Sequence, residues 1–517
     1  MQPMSALDAT FLHVEDANNP MHIGSVAVLE GPPPAYGDLV RLISAKLPMV
    51  PRYRQKVRFP LGGTGRPVWV DDPHFQVLYH IRRTAVPSPG GRDELRNLAG
   101  RVFGQQLDRT KPLWELWMVE GLAGGRWGII SKVHHCMVDG VSATDLMTLM
   151  FDISADPPPL PVPPRWNPGA EPGLASITVR SAAQAVAEPV ARALALPAVL
   201  RATASRPSAR IGEAARLVRS LRDWAQQSAT SLNGPIGPHR RWSWAEASLA
   251  DVKTIRTAAG GTVNDVVLAA ITAGFRALLE TRGEAAEDEV VRTLVPVSVR
   301  SDAERGMFNN RVSGLFPGLP VGIASPLQRL HAISEQLAGL KESNQAVAGD
   351  ALVQLAGFAP PMLMALGSRL AMRVPQRGIQ TVTTNVPGPQ FPLFVAGRRM
   401  EYSYPYVPIA GTVRIGIAIF SYCGRLFFGI TGDYDTVSDI DVLRDGIEEG
   451  MRELLVAATE LLPPAQRRRA RARPASSRAK PVVRSSAKRQ AARAAGAGKK
   501  SRRAIDGARK GRHSPSA

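Results

Sequence analysis

Apolar and polar residues along this chain fall into two spacings, and the alternation between them is the first guide to its architecture. Val26 to Leu29, Trp69-Val70, Leu113 to Val119 and the run from Trp127 to Val133 are short apolar stretches that read as strands. Between them, Tyr36 to Leu47 places Leu39, Leu42, Ile43 and Leu47 at helical spacing, and Leu95 to Leu107 is a second helix that ends before Asp108-Arg-Thr-Lys-Pro112. The later part repeats the mixture. Trp242 to Leu249 and Val291 to Val299 read as strands; Val252 to Ala258, Val266 to Leu279 and Pro326 to Leu340 read as helices. Thr412 to Phe420 and Leu426 to Asp433 form a strand pair around the turn Cys423-Gly424-Arg425, and Asp439 to Leu462 is a closing helix with Val442, Leu443, Ile447 and Leu454 on one side. Gln380 to Asn385 reads as the edge of a sheet. The prolines in Val386-Pro-Gly-Pro389 cannot continue a ladder, so the segment is expected to splay and leave an opening. Strands and helices alternate through both halves, which predicts an α/β (α+β) protein.

Proline and glycine divide this pattern. Asp156-Pro-Pro-Pro-Leu-Pro-Val-Pro-Pro164 is a stiff, extended linker, and the Ala/Arg-rich stretches Ala182 to Ala204 and Ile211 to Ala229 read as a helical crossover. Asn233-Gly-Pro-Ile-Gly-Pro238 stops any helix and opens the second half. The expected organisation is a first lobe over residues 1–155, a linker and crossover over 156–232, a second lobe over 233–463 and a basic tail over 464–517.

Charge changes the picture only once it is located. The chain of 517 residues has a formal net charge of +20, a value that suggests nucleic acid as partner. Residues 465–517, however, hold 18 of the 64 Lys and Arg and one of the 44 acidic residues, leaving the rest of the chain near neutrality. The tail has too few apolar residues to order itself and reads first as a solvated segment; an anionic lipid surface would also suit its charges, while the lack of aromatics on which bases could stack disfavours nucleic acid. Two cysteines, Cys136 and Cys423, give no disulfide framework. Met1 to Leu12 lacks the basic start of a signal peptide, and no window approaches about 18 uninterrupted apolar residues, so neither export nor a spanning helix is expected. The nearest candidate, Leu352 to Gly367, is broken by Gln354 and Pro360-Pro361; it reads either as a core helix interrupted at the prolines or as a segment lying on lipid. The glycine pairs at Gly62, Gly90 and Gly124 lack the strand-and-helix setting of a nucleotide fingerprint.

Chemistry concentrates in Lys132-Val-His134-His135-Cys-Met-Val-Asp139-Gly140, at the exit of the strand ending near Val133 and ahead of Ser142-Ala-Thr-Asp145, a helix-start signal. Neighbouring residues of an extended segment face opposite sides, so one imidazole is expected in a cleft and the other in the interior. An imidazole with no serine or cysteine partner suits general-base work on an alcohol. Cys136 is a nucleophile on paper, but next to His135 it should point away from the same cleft. Two histidines and Asp139 suggest zinc, yet adjacent histidines lack the gap that puts metal ligands on one face, so no metal is expected. Asp139 is placed to lock the turn that Gly140 permits.

His-His-x-x-x-Asp-Gly resembles the active-site signature of the chloramphenicol acetyltransferase-like superfamily, which includes condensation domains of peptide synthetases. Met4-Ser-Ala-Leu-Asp-Ala-Thr-Phe-Leu12, Pro112-Leu-Trp-Glu115, Val263-Asn-Asp-Val-Val-Leu-Ala269, Asn310-Arg-Val-Ser313 and Thr384-Asn-Val-Pro-Gly-Pro389 narrow the resemblance to the bacterial wax ester synthase/diacylglycerol acyltransferase family, from about Met4 to about Leu462. Asn309 departs from it, since the family more often has Gly before Asn-Arg.

The resemblance implies two similar lobes with a substrate tunnel between them. It also implies direct transfer of a long-chain acyl group from acyl-CoA to diacylglycerol, or to a fatty alcohol, with no cofactor. His135 would be the proton acceptor, supported by His134, Asp139 and Gly140. Pro112, Leu113 and Trp114 would border the substrate channel, although a tryptophan is usually buried whatever the function. Asn264, Asp265, Thr384 and Asn385 would contribute to the acyl site, although Asn264 also stands where it caps the helix beginning at Val266. A cytoplasmic protein, peripheral at the inner membrane or a lipid droplet, is the expected location. A carrier-protein-dependent condensation enzyme and a non-catalytic lipid-surface or nucleic-acid-associated protein are the alternatives.

Overall fold

A computed structural model describes residues 1–63, 65–137, 150–159, 162–183, 230–284, 289–298, 312–342, 378–464 and 467. The expected helix Ile211 to Ala229, nearly all of Ala182 to Ala204, the apolar segment Leu352 to Gly367 and the tail beyond Arg467 lie outside the described residues.

The first half forms β1 (Gln2–Pro3), α1 (Ala6–Val14), β2 (His22–Leu29), α2 (Tyr36–Lys46), β3 (Gln55–Arg58), β4 (Val68–Asp71), α3 (Val77–His80), β5 (Ile81–Ala85), α4 (Arg92–Gly104), β6 (Trp114–Leu122) and β7 (Arg126–His134). The second forms β8 (Arg240–Ser248), α5 (Leu249–Ala259), α6 (Val263–Thr281), β9 (Val290–Ser298), β10 (Val312–Leu315), β11 (Gly318–Pro320), α7 (Pro326–Glu342), β12 (Thr381–Val386), β13 (Phe394–Val395), β14 (Arg398–Tyr406), β15 (Ile415–Tyr422), β16 (Arg425–Asp433) and α8 (Ile440–Leu461).

These strands make two large sheets and a small one. β7 lies inside the first, whose order is β13-β14-β2-β7-β6-β5; the second runs β10-β9-β12-β15-β16-β8, with β11 also on β9, and β1-β4-β3 is the third. β7 is buried along its length because both neighbours pair with it antiparallel, His22 opposite His134 on one side and Trp114 opposite Val133 on the other.

Two expectations need correction. β12 is no edge: it pairs parallel with β15 along its whole length and with β9 at Thr381 and Val382. The prolines begin only after Val386, so nothing prevents the ladder before them. Among the described residues β12 stays paired to β15 beyond Val382 but not to β9, so β12 and β9 part there. The second correction concerns the lobes, which are not contiguous in sequence. β14, from the second half, pairs with β2 and joins the first sheet because Tyr404 and Tyr406 pack into its aromatic core. Met400, Tyr402, Tyr404 and Tyr406 recur at every second position, the spacing that signals such a strand.

The halves meet closely. Gly429 of β16 has no room for a side chain, since a Cβ would stand 1.6 Å from the Pro405 carbonyl oxygen of β14. A Cβ on Gly100 of α4 would stand 2.8 Å from the Arg240 carbonyl oxygen of β8. Arg96 of α4 binds Asp441 of α8 at 2.6 Å and Arg92 lies over the Trp244 ring at 4.6 Å. The second core is held by α6 against α8, which cross through Gly274, Gly446 and Gly450; a Cβ on Gly274 would meet the Leu443 carbonyl oxygen at 2.8 Å.

Candidate active site

β7 ends at His134, and His135 begins a single turn of 3-10 helix, His135–Met137. The two imidazoles diverge because the chain turns between them, not because one strand carries both. Backbone bonds hold the junction from two sides: His134 N–H donates to the Leu113 carbonyl (2.9 Å) and His135 N–H to the Met21 carbonyl (2.8 Å).

His134 is fully buried and structural in its bonding. Its Nδ1 accepts from the Cys136 N–H at 3.1 Å, which puts the ring proton on Nε2, and Nε2 lies 3.5 Å from Glu15 Oε2. Glu15, the C-cap residue of α1, also accepts from the Met21 N–H (3.1 Å) and pairs with Arg109 (2.6 Å). Burial works against a charge on Glu15, but His134, Arg109 and the Met21 N–H outweigh it and hold the carboxyl at about 2. One carboxylate thus fixes the first imidazole and the N–H of Met21, the residue whose carbonyl accepts from His135.

His135 is half-buried. Phe11 of α1 stacks on its ring, with centroids 3.9 Å apart and planes 20° apart. Among the described residues its Nδ1 is buried with no hydrogen-bond partner, while the residue's own backbone oxygen favours a protonated ring. Burial, helped by the proximity of His134, nevertheless lowers its pKa to about 4, so the ring is neutral near pH 7. A neutral imidazole keeps a lone pair on one of its ring nitrogens and can accept a proton there.

Around this pair the first sheet carries more buried polarity than the sequence pattern suggested. Lys132 is fully buried and donates to the carbonyls of Val102 (3.0 Å) and Gln105 at the end of α4, a favourable place for a cation; burial lowers its pKa to about 8. His22, opposite His134, is fully buried and neutral, its pKa driven down by burial and by Lys132. Cys136 is buried and its thiol is pushed well above the usual range, first by burial and then by Asp8 and Glu15, which removes it as a nucleophile. Asp139 and Gly140 lie outside the described residues.

Pro112, Leu113 and Trp114 are buried in the first core. Trp114 donates its Nε1–H to the Tyr53 carbonyl (2.8 Å) and stacks on His80 at 4.6 Å, so packing and one hydrogen bond account for it. The segment reaches the site through its backbone, as the Leu113 carbonyl that receives His134.

Asn264 is not the helix cap. α6 begins one residue before it, and the cap is Thr262, which accepts from the Asp265 N–H while Asp265 accepts from the Thr262 N–H (2.8 Å). A threonine three residues ahead of an aspartate satisfies two otherwise orphaned N–H groups, which a single asparagine cannot do. Asp265 is buried, and its carboxylate also receives the hydroxyls of Thr262 (2.7 Å) and Ser334 (2.6 Å), which assigns it to the cap. Asn264, freed from capping, accepts from Asn385 Nδ2 of β12 at 3.4 Å, so two predicted residues meet where β12 and β9 part. Thr384 is half-buried and points to the opposite face from Asn385. No hydrogen bond between described residues joins these positions to His135.

Sequence reasoning missed Glu15, Arg109, Phe11, His22 and Lys132. The available signal was Ser5-Ala-Leu-Asp8, a helix start confirmed by the Ser5 side chain accepting from the Asp8 N–H at 3.0 Å. It would have placed Phe11 and Glu15 one turn apart on α1.

Comparison with known proteins bears on the family and the fold. Residues 4–267 match the wax ester synthase/diacylglycerol acyltransferase catalytic domain, and residues 308–455 match the C-terminal domain of the same family. The chain belongs to the wax ester synthase/diacylglycerol acyltransferase family. A relative named as a probable diacylglycerol O-acyltransferase of Mycobacterium tuberculosis is 39% identical over 88% of this chain and 96% of its own length. Among solved structures, the wax ester synthase/diacylglycerol acyltransferase of Marinobacter aquaeolei is 25% identical with a TM-score of 0.61, covering 88% of this chain and 100% of that one. The first condensation domain of the calcium-dependent antibiotic synthetase shares the fold at 16% identity and a TM-score of 0.52, covering 88% of this chain and 95% of that one. The expected α/β fold and acyltransferase class therefore hold, and the histidine junction lies inside the catalytic domain of this acyltransferase family.

Proposed function

We propose that this acyltransferase moves a long-chain acyl group from acyl-CoA to diacylglycerol, releasing triacylglycerol and CoA, with His135 as the base. The observation that carries the mechanism is the state of that ring: half-buried in the turn that follows β7, neutral, and stacked on Phe11. As the acceptor hydroxyl oxygen forms a bond to the thioester carbonyl carbon, its proton passes to Nε2. Collapse of the tetrahedral adduct breaks the C–S bond, and the imidazolium returns the proton to the departing thiolate. A thioester is already activated, so alignment and a base suffice without a covalent enzyme intermediate or a cofactor. Diacylglycerol is favoured as acceptor by the 39% identity to a relative named for it. A fatty alcohol, giving a wax ester, is the second acceptor that the family supports.

Asn264 and Asn385, paired where β12 leaves β9, are assigned to the acyl side of a passage between the lobes, while Asp265 supports them as the cap of α6. Among the described residues no single helix is long and apolar enough to cross a membrane, and the bent pair α5 and α6 that passes by composition is packed into the second core. Peripheral contact with a membrane or lipid droplet, through the basic tail, is the proposed route to substrates this oily. Labelled palmitoyl-CoA incubated with the full chain and dioleoylglycerol or hexadecanol, with products separated by polarity, tests the reading. Labelled triacylglycerol matched by CoA release is expected; palmitate alone, or ester formed only from a carrier-bound acyl group, would overturn it.

A further inference from the structure

One short helix holds both neighbouring histidines. α1 lays Phe11 face to face on His135, and its C-cap residue Glu15 meets His134. Glu15 explains how the buried ring is fixed, but the transfer scheme has so far made no use of Phe11. Filling space is something any side chain of similar volume could do. A phenyl ring stacked on an imidazole does two things more. It sets the plane of a ring whose Nδ1 has no polar partner on another described residue, so that Nε2 keeps one direction. It also presents a face of negative potential, whose attraction grows when the imidazole becomes a cation. Burial and the neighbouring His134 disfavour that cation and outweigh the residue's own backbone oxygen, which favours it.

We propose that Phe11 is a positioning residue of the acyl-transfer site, holding the His135 ring in the orientation that aims Nε2 at the acceptor hydroxyl and stabilising the imidazolium formed when that hydroxyl is deprotonated. The inference rests on His135 acting as the base. The ring bears its charge only between removal of the hydroxyl proton and protonation of the thiolate. An interaction made only in that interval raises kcat and leaves substrate binding alone.

The test is steady-state kinetics of the full chain with palmitoyl-CoA and dioleoylglycerol for Phe11→Leu, Phe11→Met, Phe11→Tyr and His135→Ala, each checked for melting temperature. Phe11→Leu and Phe11→Met keep an apolar filler and lose the aromatic face; in whichever of them folds, kcat falls roughly ten- to thirtyfold while both KM values stay within about twofold. Phe11→Tyr retains the ring and restores kcat to near the wild-type value. If the aliphatic variants keep the wild-type kcat, or Phe11→Tyr is impaired as much as they are, while His135→Ala is inactive, the role given to Phe11 is wrong and the base stands. Wild-type turnover by His135→Ala would instead remove the base, and Phe11 with it.

Discussion

The two large sheets arise from the same alternation of strands and helices, yet they are filled in opposite ways. Around β7 the first core buries Glu15, His22, Lys132 and His134, each among apolar neighbours. The second core, between its sheet and α6 and α8, is aliphatic from Val266 to Ile271, and polar groups buried there include neutral hydroxyls with hydrogen-bond partners, as Thr272 is bonded to the Leu268 carbonyl at 2.7 Å and Thr293 to Thr383 at 2.9 Å. Burying charge costs free energy unless each group is paired, so Glu15, Lys132 and His134 are held by specific contacts while His22 stays neutral. The contacts of Glu15 and His134 converge on the turn carrying His135. The second core gains tight packing from glycines, and the buried carboxylate beside Asn264, Asp265, is tied into the cap of α6.

That contrast can be broken at chosen points. Glu15→Ala strands Arg109 and His134 and frees the Met21 peptide, so it should cost about 3–5 kcal/mol of stability by chemical denaturation and lower turnover as well. A denaturation series that left stability unchanged would show the carboxylate to be incidental.

Acid should act on the same groups. The folded pKa of His135 is depressed from 6.5 to about 4, so its neutral form contributes stability that is complete above pH 6.5 and is lost as pH falls toward 4, on the order of 3 kcal/mol. Glu15, depressed from 4.5 to about 2, loses its contribution over the next interval down. Stability measured against pH should therefore fall less steeply between 6.5 and 4 in His135→Ala than in the wild type, and equal slopes would contradict the depressed pKa.

In the second core the expected signature is stability without chemistry. Gly274→Ala forces a methyl against Leu443 and Ile447 and should cost roughly 1–3 kcal/mol, with kcat of the folded protein unchanged. Smaller still, Thr262→Ala removes a cap worth about 1 kcal/mol, and Asp265 remains held by Ser334. A loss of turnover in either variant, at equal folded fraction, would mean that the second core shapes the reaction more directly than its packing indicates.

Most of the framework was legible because apolar spacing reports burial: the helices from Tyr36, Val252, Pro326 and Asp439 and the strand into His134 all formed within a few residues of expectation. β14 was missed because Arg398-Arg-Met-Glu-Tyr-Ser-Tyr-Pro-Tyr406 looks polar, and its alternating aromatics matter only once β2 is beside them. β12 was misjudged because proline after a strand says where it stops, not what flanks it. Asn264 was a reasonable cap until Thr262 and Asp265 competed for the same helix end with two bonds instead of one. His134 and His135 could be told apart from sequence. Which carboxylate and which aromatic hold them could not, because Glu15 and Phe11 are more than a hundred positions away and meet them only in the folded chain.

The most direct measurement is the rate of triacylglycerol formation by His135→Ala at saturating palmitoyl-CoA and diacylglycerol, on protein that melts like the wild type. With a neutral imidazole taking the hydroxyl proton, the rate should fall by roughly 10²–10⁴-fold. A rate within a few-fold of the wild type would show that some other group does so.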